Sequence, residues 1–296
     1  MILVIGATGR VGFEICRQLT SKGRPVKAMV RSISDPVIVK RLENMGAKIV
    51  EGDIRDTLNF ENLMKGTTTI ISTVSSVPYS YVAGKNDMDN VDLKGMQNLI
   101  DFARESKVKR FIYTSFSGNI SLNFPLKNAK RSVETYLANS GMVYTILRPS
   151  FFMESWLSSA VGFDIDNAKV TVYGSGKETV SYISANDVAS FAIESLTNPF
   201  ARNATLELGG PDKLSQLDVV SLFEKATGKK FELNFISIQT LEQQFETAPN
   251  AFEKSFAGLQ LSYAKGDVIE MRPTLDRFVV KLTSVKDYIR HMETVL

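Results

Sequence analysis

The chain has 296 residues, 44% hydrophobic and 23% charged, which gives it material for a sizeable core and excludes global disorder. A formal net charge of +3, with no block of consecutive basic residues, argues against a primary nucleic-acid binder. One cysteine, Cys16, and one histidine, His291, stand at opposite ends of the chain, so neither an intrachain disulfide nor a zinc site is expected.

His291 has no Gly-x-Ser-x-Gly elbow to accompany it and reads as a structural or surface residue. The opening Met-Ile-Leu-Val-Ile-Gly lacks a basic region and a cleavage site, and no apolar run approaches the ~20 residues that cross a bilayer. The expectation is a cytoplasmic protein with no membrane span.

In chain order, Ile2 to Ile5 is a short continuous apolar run, the mark of a buried parallel strand. A glycine turn follows. Val11, Ile15 and Leu19 then recur at helical spacing until Ser21-Lys22-Gly23. Val26–Val30 is the second strand, 37–45 a helix stopped by Gly46, and 47–50 the third strand. A short helix at 60–65 precedes a β-branched fourth strand, 68–74. After a loop from Ser75 to Asn86, Leu93, Met96, Ile100 and Ala103 mark a long helix. Arg110–Thr114 is the fifth strand, 129–138 a helix, and 143–147 the sixth strand.

Six strands alternating with helices predict a Rossmann-type doubly wound parallel sheet, with ligands at the carboxyl ends of the strands. Further on, 170–174 and 205–208 read as strands, and 185–196, 217–226, 241–247 and 284–295 as helices. The expected division is a cofactor-binding core of residues 1–150 plus about 185–210. A smaller C-terminal α+β lobe for substrate or partner takes 151–184 and 211–296.

The turn Gly6-Ala7-Thr8-Gly9-Arg10-Val11-Gly12 carries the chemistry. Gly6 permits the tight turn, Gly9 lets backbone approach a pyrophosphate, and Gly12 lets helix pack on strand. The helix N-terminus offers N–H groups to phosphate, with Thr8, Arg10 and Val11 in the same turn. Such a pattern is weak alone and gains force from its place between a strand and a helix at the start of an α/β series. The residue ending the second strand selects the cofactor: an acid favours NAD, an arginine accepts the 2′-phosphate of NADP. Here Val30 is followed by Arg31 and Ser32, with no acid before Asp35, so NADP(H) is expected, unless Arg31 is a solvated strand-end cation. Asp53 can accept from the adenine amino group with Ile54 over the ring, or it can be a turn aspartate after Gly52. Ser72 to Ser75 have small side chains that let a cofactor lie close.

Gly-Ala-Thr-Gly-x-x-Gly, Gly52-Asp53, the stretch Val108 to Ser115 and Tyr144 to Pro149 together resemble the atypical short-chain dehydrogenases of the NmrA-like type. Phe151 to Trp156, Tyr182 to Ala189 and Leu208 to Pro211 extend the resemblance to about residue 230. It implies a Rossmann core and NADP(H). It does not imply one activity, because members include NADPH-dependent quinone and enone reductases and also redox sensors that bind a protein partner. In the wider superfamily, a tyrosine four residues before a lysine donates the proton. By resemblance Lys130 matches the lysine and Ser115 begins the serine region, but Leu126 stands in place of the tyrosine.

Hydride transfer does not require that tyrosine, since the cofactor carries the chemistry and the protein orients the acceptor. Water, Lys130, Tyr79, Tyr81 or Tyr113 remain as proton sources. Lys130 also has a plain reading as half of an exposed pair with Glu134. Phe116, Phe151, Phe152, Met153 and Trp156 suit either a flat acceptor site or ordinary core. Two functions follow. One is an NADPH-dependent reductase of a quinone or other conjugated carbonyl. The alternative is a non-catalytic NADP(H) sensor binding a protein partner or forming a homo-oligomer.

Overall fold

The computed structural model describes residues 1–78 and 80–293. The chain divides into two compact units. The first takes residues 1–115, 125–147 and 188–206; the second takes 116–124, 148–187 and 207–296.

The first unit begins with β1 (Ile2–Ile5), α1 (Arg10–Ser21), β2 (Val26–Val30), α2 (Pro36–Asn44) and β3 (Lys48–Glu51). Next come α3 (Phe60–Met64), β4 (Thr69–Ser72), a π-helical turn (Met88–Gly95) that runs into α4 (Met96–Glu105), and β5 (Arg110–Thr114). The series closes with α5 (Pro125–Asn139) and β6 (Val143–Pro149). Every residue of β1, β2 and β5 is buried, as a sheet covered on both faces requires.

The strand order is β3-β2-β1-β4-β5-β6, then Ala204–Leu208 at the outer edge. Each neighbouring pair from β3 to β6 is parallel, so all carboxyl ends lie on one edge. The order reverses between β1 and β4, which is where such sheets open a crevice. Under the sheet, Leu3, Ile5, Phe60, Leu63, Ile70, Leu99, Phe111 and Val133 form a core, with Phe60 and Phe102 edge to face at 5.1 Å.

Local chemistry sets the helix starts. Asp35 caps α2 through the Val37 N–H at 2.8 Å, with Pro36 in the first turn where its missing N–H costs nothing. The helix expected from residue 129 starts at Pro125 for the same reason. Lys27 is buried within β2, and its ammonium donates to the Leu63 and Lys65 carbonyls at the end of α3, a favourable place for a cation. Burial, and then the nearby Lys48 and Lys65, lower its pKa. Cys16 lies inside α1, where burial pushes its thiol up to about 12 and leaves it protonated and inert.

The second unit is α+β. Its three-stranded sheet pairs Lys169–Tyr173 in parallel with Glu232–Ile236 and antiparallel with Phe163–Asp164. Helices Gln216–Thr227 and Ala251–Ala264 pack on it, with Val285–Glu293 against the first of these and Ile238–Thr247 against the second. The end of the helix expected at 284–295 falls outside the described residues. Among the described residues no helix is long and apolar enough to cross a membrane.

Candidate functional site

The turn after β1 is shaped by backbone crowding. Gly6 adopts φ +81°, and a Cβ there would sit 2.9 Å from Thr73 Oγ1 and 3.1 Å from the Val74 nitrogen. A Cβ on Gly12 would collide with the Gly6 carbonyl oxygen. Gly9 is the N-cap of α1. It has no side-chain cap, and the first turn carries no acid, so the helix presents N–H groups and its positive end at the carboxyl edge. Gly9 and Arg10 are exposed there, while Thr8 and Val11 are half-buried. A cradle of this form suits a pyrophosphate.

Because β1 to β5 run parallel, the loops after them share that edge. Gly6 to Gly12, Arg31 and Ser32, Asp53 and Ile54, Ser75, and Ser115 follow successive strands and are brought there together. Arg31 is half-buried. Its guanidinium donates to Asn86 Oδ1 at 3.0 Å, so its direction is fixed and it is not a freely solvated cation. Ser32 is exposed. Asp53 accepts from the Arg55 backbone N–H at 3.0 Å and its Nε at 2.9 Å, which is turn geometry reinforced by an ion pair. Burial pushes the Asp53 carboxyl up, but bonds from Arg55 outweigh it, with help from the charges of Arg55 and Arg31, and hold it below the usual range. Ile54 is 3% exposed and part of the core beneath the sheet.

Lys130 departs most from the plain expectation. It is 4% exposed and does not pair with Glu134, because Arg131 takes that carboxylate and also donates to Ser115 Oγ at 3.2 Å. The Lys130 ammonium instead donates to the Val74 carbonyl at 3.2 Å, lies 3.5 Å from Asp92 Oδ1, and sits over the Tyr113 ring at 5.4 Å. Val74 is also the residue whose nitrogen crowds Gly6. One residue of backbone therefore joins the glycine turn to the lysine.

The tyrosine candidates fare differently. Tyr113 is fully buried, and its hydroxyl has no partner. Burial first, then the charges of Asp92 and Glu134, push its pKa well up, so it is a poor proton donor. Tyr81 is half-buried, and burial with Asp87 and Asp89 raises it too. Tyr79 lies outside the described residues. Leu126 is buried at the position of the absent tyrosine.

In the second unit, Phe151 and Met153 are core residues. Phe151 packs edge to face on Trp156 at 4.8 Å and on Tyr263 at 5.1 Å. Phe116, Phe152 and Trp156 keep partial exposure, and Phe116 stacks on Phe124 at 6.2 Å. No group of His, Cys, Asp and Glu that would hold a metal occurs among the described residues.

Sequence reading missed Asp92, Asn86, Arg131 and Arg55. Asp92 left a readable signal. It occupies the same helical stripe as Met88 and Met96, four residues to either side, and an acid on a buried stripe demands a partner. Asn86 left none, since its role depends on Arg31, far away in sequence.

Such a sheet, with a glycine-lined turn at its switch point, defines a Rossmann-type α/β protein. The chain belongs to the NmrA-like family, whose profile matches residues 1–289. It is 29% identical over 303 residues to the photosystem II assembly factor Ycf39 of Guillardia theta, across 98% of this chain and 93% of that one. It is also 29% identical over 245 residues to an NAD(P)H azoreductase of Xenophilus azovorans, across 82% and 78% of the two chains. Among solved structures, Escherichia coli NADPH-dependent quinone oxidoreductase complexed with NADPH superimposes with a TM-score of 0.77 at 20% identity, covering 99% of each chain. That last likeness is one of fold.

Proposed function

We propose that this chain binds NADP(H) and reduces a quinone or another conjugated carbonyl. The observation that carries the reading is the buried Lys130 ammonium, held by the Val74 carbonyl beside the glycine turn. In this reading Gly6, Thr8, Gly9, Arg10, Val11 and Gly12 hold the pyrophosphate. Arg31 and Ser32 take the 2′-phosphate, and Ser75 lines the crevice. Asp53, Ile54 and Ser115 support these loops through the contacts described above. Bound there, the cofactor supplies a hydride. Lys130 holds the nicotinamide end and gives a proton from Nζ to the reduced acceptor oxygen. Residues 1–150 with about 185–210 serve the dinucleotide, and 151–184 with 211–296 serve the acceptor or a partner.

Arg31→Ala is expected to weaken NADPH binding by about 1.5–3 kcal/mol, the worth of a charged hydrogen bond, and to leave NADH binding nearly unchanged. Titrating both cofactors by fluorescence checks this, and equal losses would remove Arg31 from the phosphate site.

The function itself is tested by NADPH oxidation against a panel of quinones, enones and azo dyes, with binding measured in the same samples. Acceptor-dependent turnover supports the reductase. Binding without turnover favours the second reading, an NADP(H)-responsive protein that acts through a partner. The burial of Leu126 in place of a proton-donating tyrosine and the fully buried Tyr113 favour that reading.

A further inference from the structure

The geometry points to Asp92 as the positioning residue that holds Lys130 in its charged, proton-donating form. This rests on the reductase reading above.

A lysine buried this deeply favours its neutral amine unless an opposite charge stands close. Three groups contact the Lys130 ammonium: the Val74 carbonyl, the face of Tyr113 and Asp92 Oδ1. Of these, Asp92 alone carries a full negative charge. It is itself wholly buried, on the π-helical turn. Its Oδ2 accepts from the Ser76 N–H at 3.0 Å and from the Ser76 hydroxyl at 2.6 Å. Those two bonds fix the carboxylate plane. They leave Oδ1 with no hydrogen-bond donor and the lysine at 3.5 Å as its counter-charge.

Other charged groups nearby are already occupied. On the next turn of α5, Glu134 is held by Arg131, which also reaches Ser115. Tyr113, from β5, offers the ammonium its ring and not its hydroxyl. Ser76 lies two residues beyond Val74, so a single loop after β4 carries both the carbonyl that orients Lys130 and the serine that anchors its counter-charge.

In the step proposed, the acceptor takes a hydride, with its electron pair, from NADPH. The Lys130 Nζ–H bond breaks as an O–H bond forms on the reduced acceptor, and the neutral amine regains its proton from water. Asp92 exchanges no proton. It sets the charge and direction of the group that does.

The test is Asp92→Asn, read in two ways. The first is NMR titration of Lys130 in lysine-labelled protein, with its signal assigned by its loss in Lys130→Met. The second is the pH profile of kcat with NADPH and the best acceptor of the panel. Lys130 is expected to lose its charge at lower pH in Asp92→Asn than in the wild type. The limb on which kcat falls with rising pH should move down with it. One pH unit above the variant's titration midpoint, kcat should be down about tenfold, with the NADPH Kd within about twofold of the wild type, because the lost group acts on proton delivery. Ser76→Ala, which only loosens the anchor, gives a smaller shift in the same direction and serves if Asp92→Asn does not fold. A Lys130 titration unmoved in both variants overturns the proposal. A titration that moves in a protein with no turnover on any acceptor leaves the pairing standing and removes only the reductase reading.

Discussion

Lys130→Met is expected to lower the unfolding free energy by about 3–5 kcal/mol and to cut turnover by about 100-fold or more. The stability loss comes from the partner left behind. Asp92 is wholly buried, and without the ammonium its carboxylate is left with no counter-charge. The double variant Lys130→Met/Asp92→Leu separates the two effects. With both charges replaced by apolar groups, most of the stability should return, while turnover stays lost. Urea unfolding of the three proteins and NADPH oxidation measure both. A single variant as stable as the wild type would mean that the buried pair contributes little.

Gly12→Ala should damage the molecule at a second place. Its Cβ would strike the Gly6 carbonyl and lie 2.9 Å from the Ala7 Cα, and backbone atoms cannot rotate away. Overpacking of this kind costs about 1–3 kcal/mol of stability. The turn must open to admit the methyl group, which spoils the cradle, so NADPH affinity should fall about 100-fold, or ~2.7 kcal/mol. Gly9→Ala is the informative comparison. Its nearest neighbour would be the Gly6 oxygen at 3.3 Å, so stability should hardly change. If Gly9 faces the pyrophosphate, affinity should still fall. Calorimetric unfolding and NADPH titration of both variants decide the matter, and equal behaviour of the two would contradict the packing described.

The parallel sheet was legible because its strands are short apolar runs punctuated by glycine. β1, β2 and β5 fall where the sequence puts them. The π-helical turn was not legible. The sequence ends the loop at Asn86 and marks the long helix from Leu93, and nothing in Met88–Gly95 distinguishes a π turn from an α turn. The helix Ala251–Ala264 was invisible for a different reason. Phe252, Phe256, Leu259 and Tyr263 do recur at helical spacing, but its most buried face is built largely from Ser255, Ala257, Gly258 and Ser262, which carry no apolar signal. Small residues are required there, since a Cβ on Gly258 would run into the Phe124 ring. At the candidate site, residues that follow strands were named from spacing. Lys130 was named by resemblance, but its surroundings were not, because Asp92 and Val74 reach it only through the folded sheet. The aromatic residues after β6 show the limit of residue type: Phe151 went into the core, while Phe152 and Trp156 kept partial exposure.

The first unit is assembled from three separate stretches, and the last ends at residue 206 of 296. The strand Ala204–Leu208, which pairs beside β6, is thus made after more than two-thirds of the chain. At translation rates of about 5–20 residues per second, its arrival takes roughly 10–40 s. Until then a nascent chain carries β6 as an open edge, with unpaired backbone available to any other strand. Synthesis is therefore the stage at which this topology is most exposed to aggregation, and a chain released before residue 206 would keep that edge permanently.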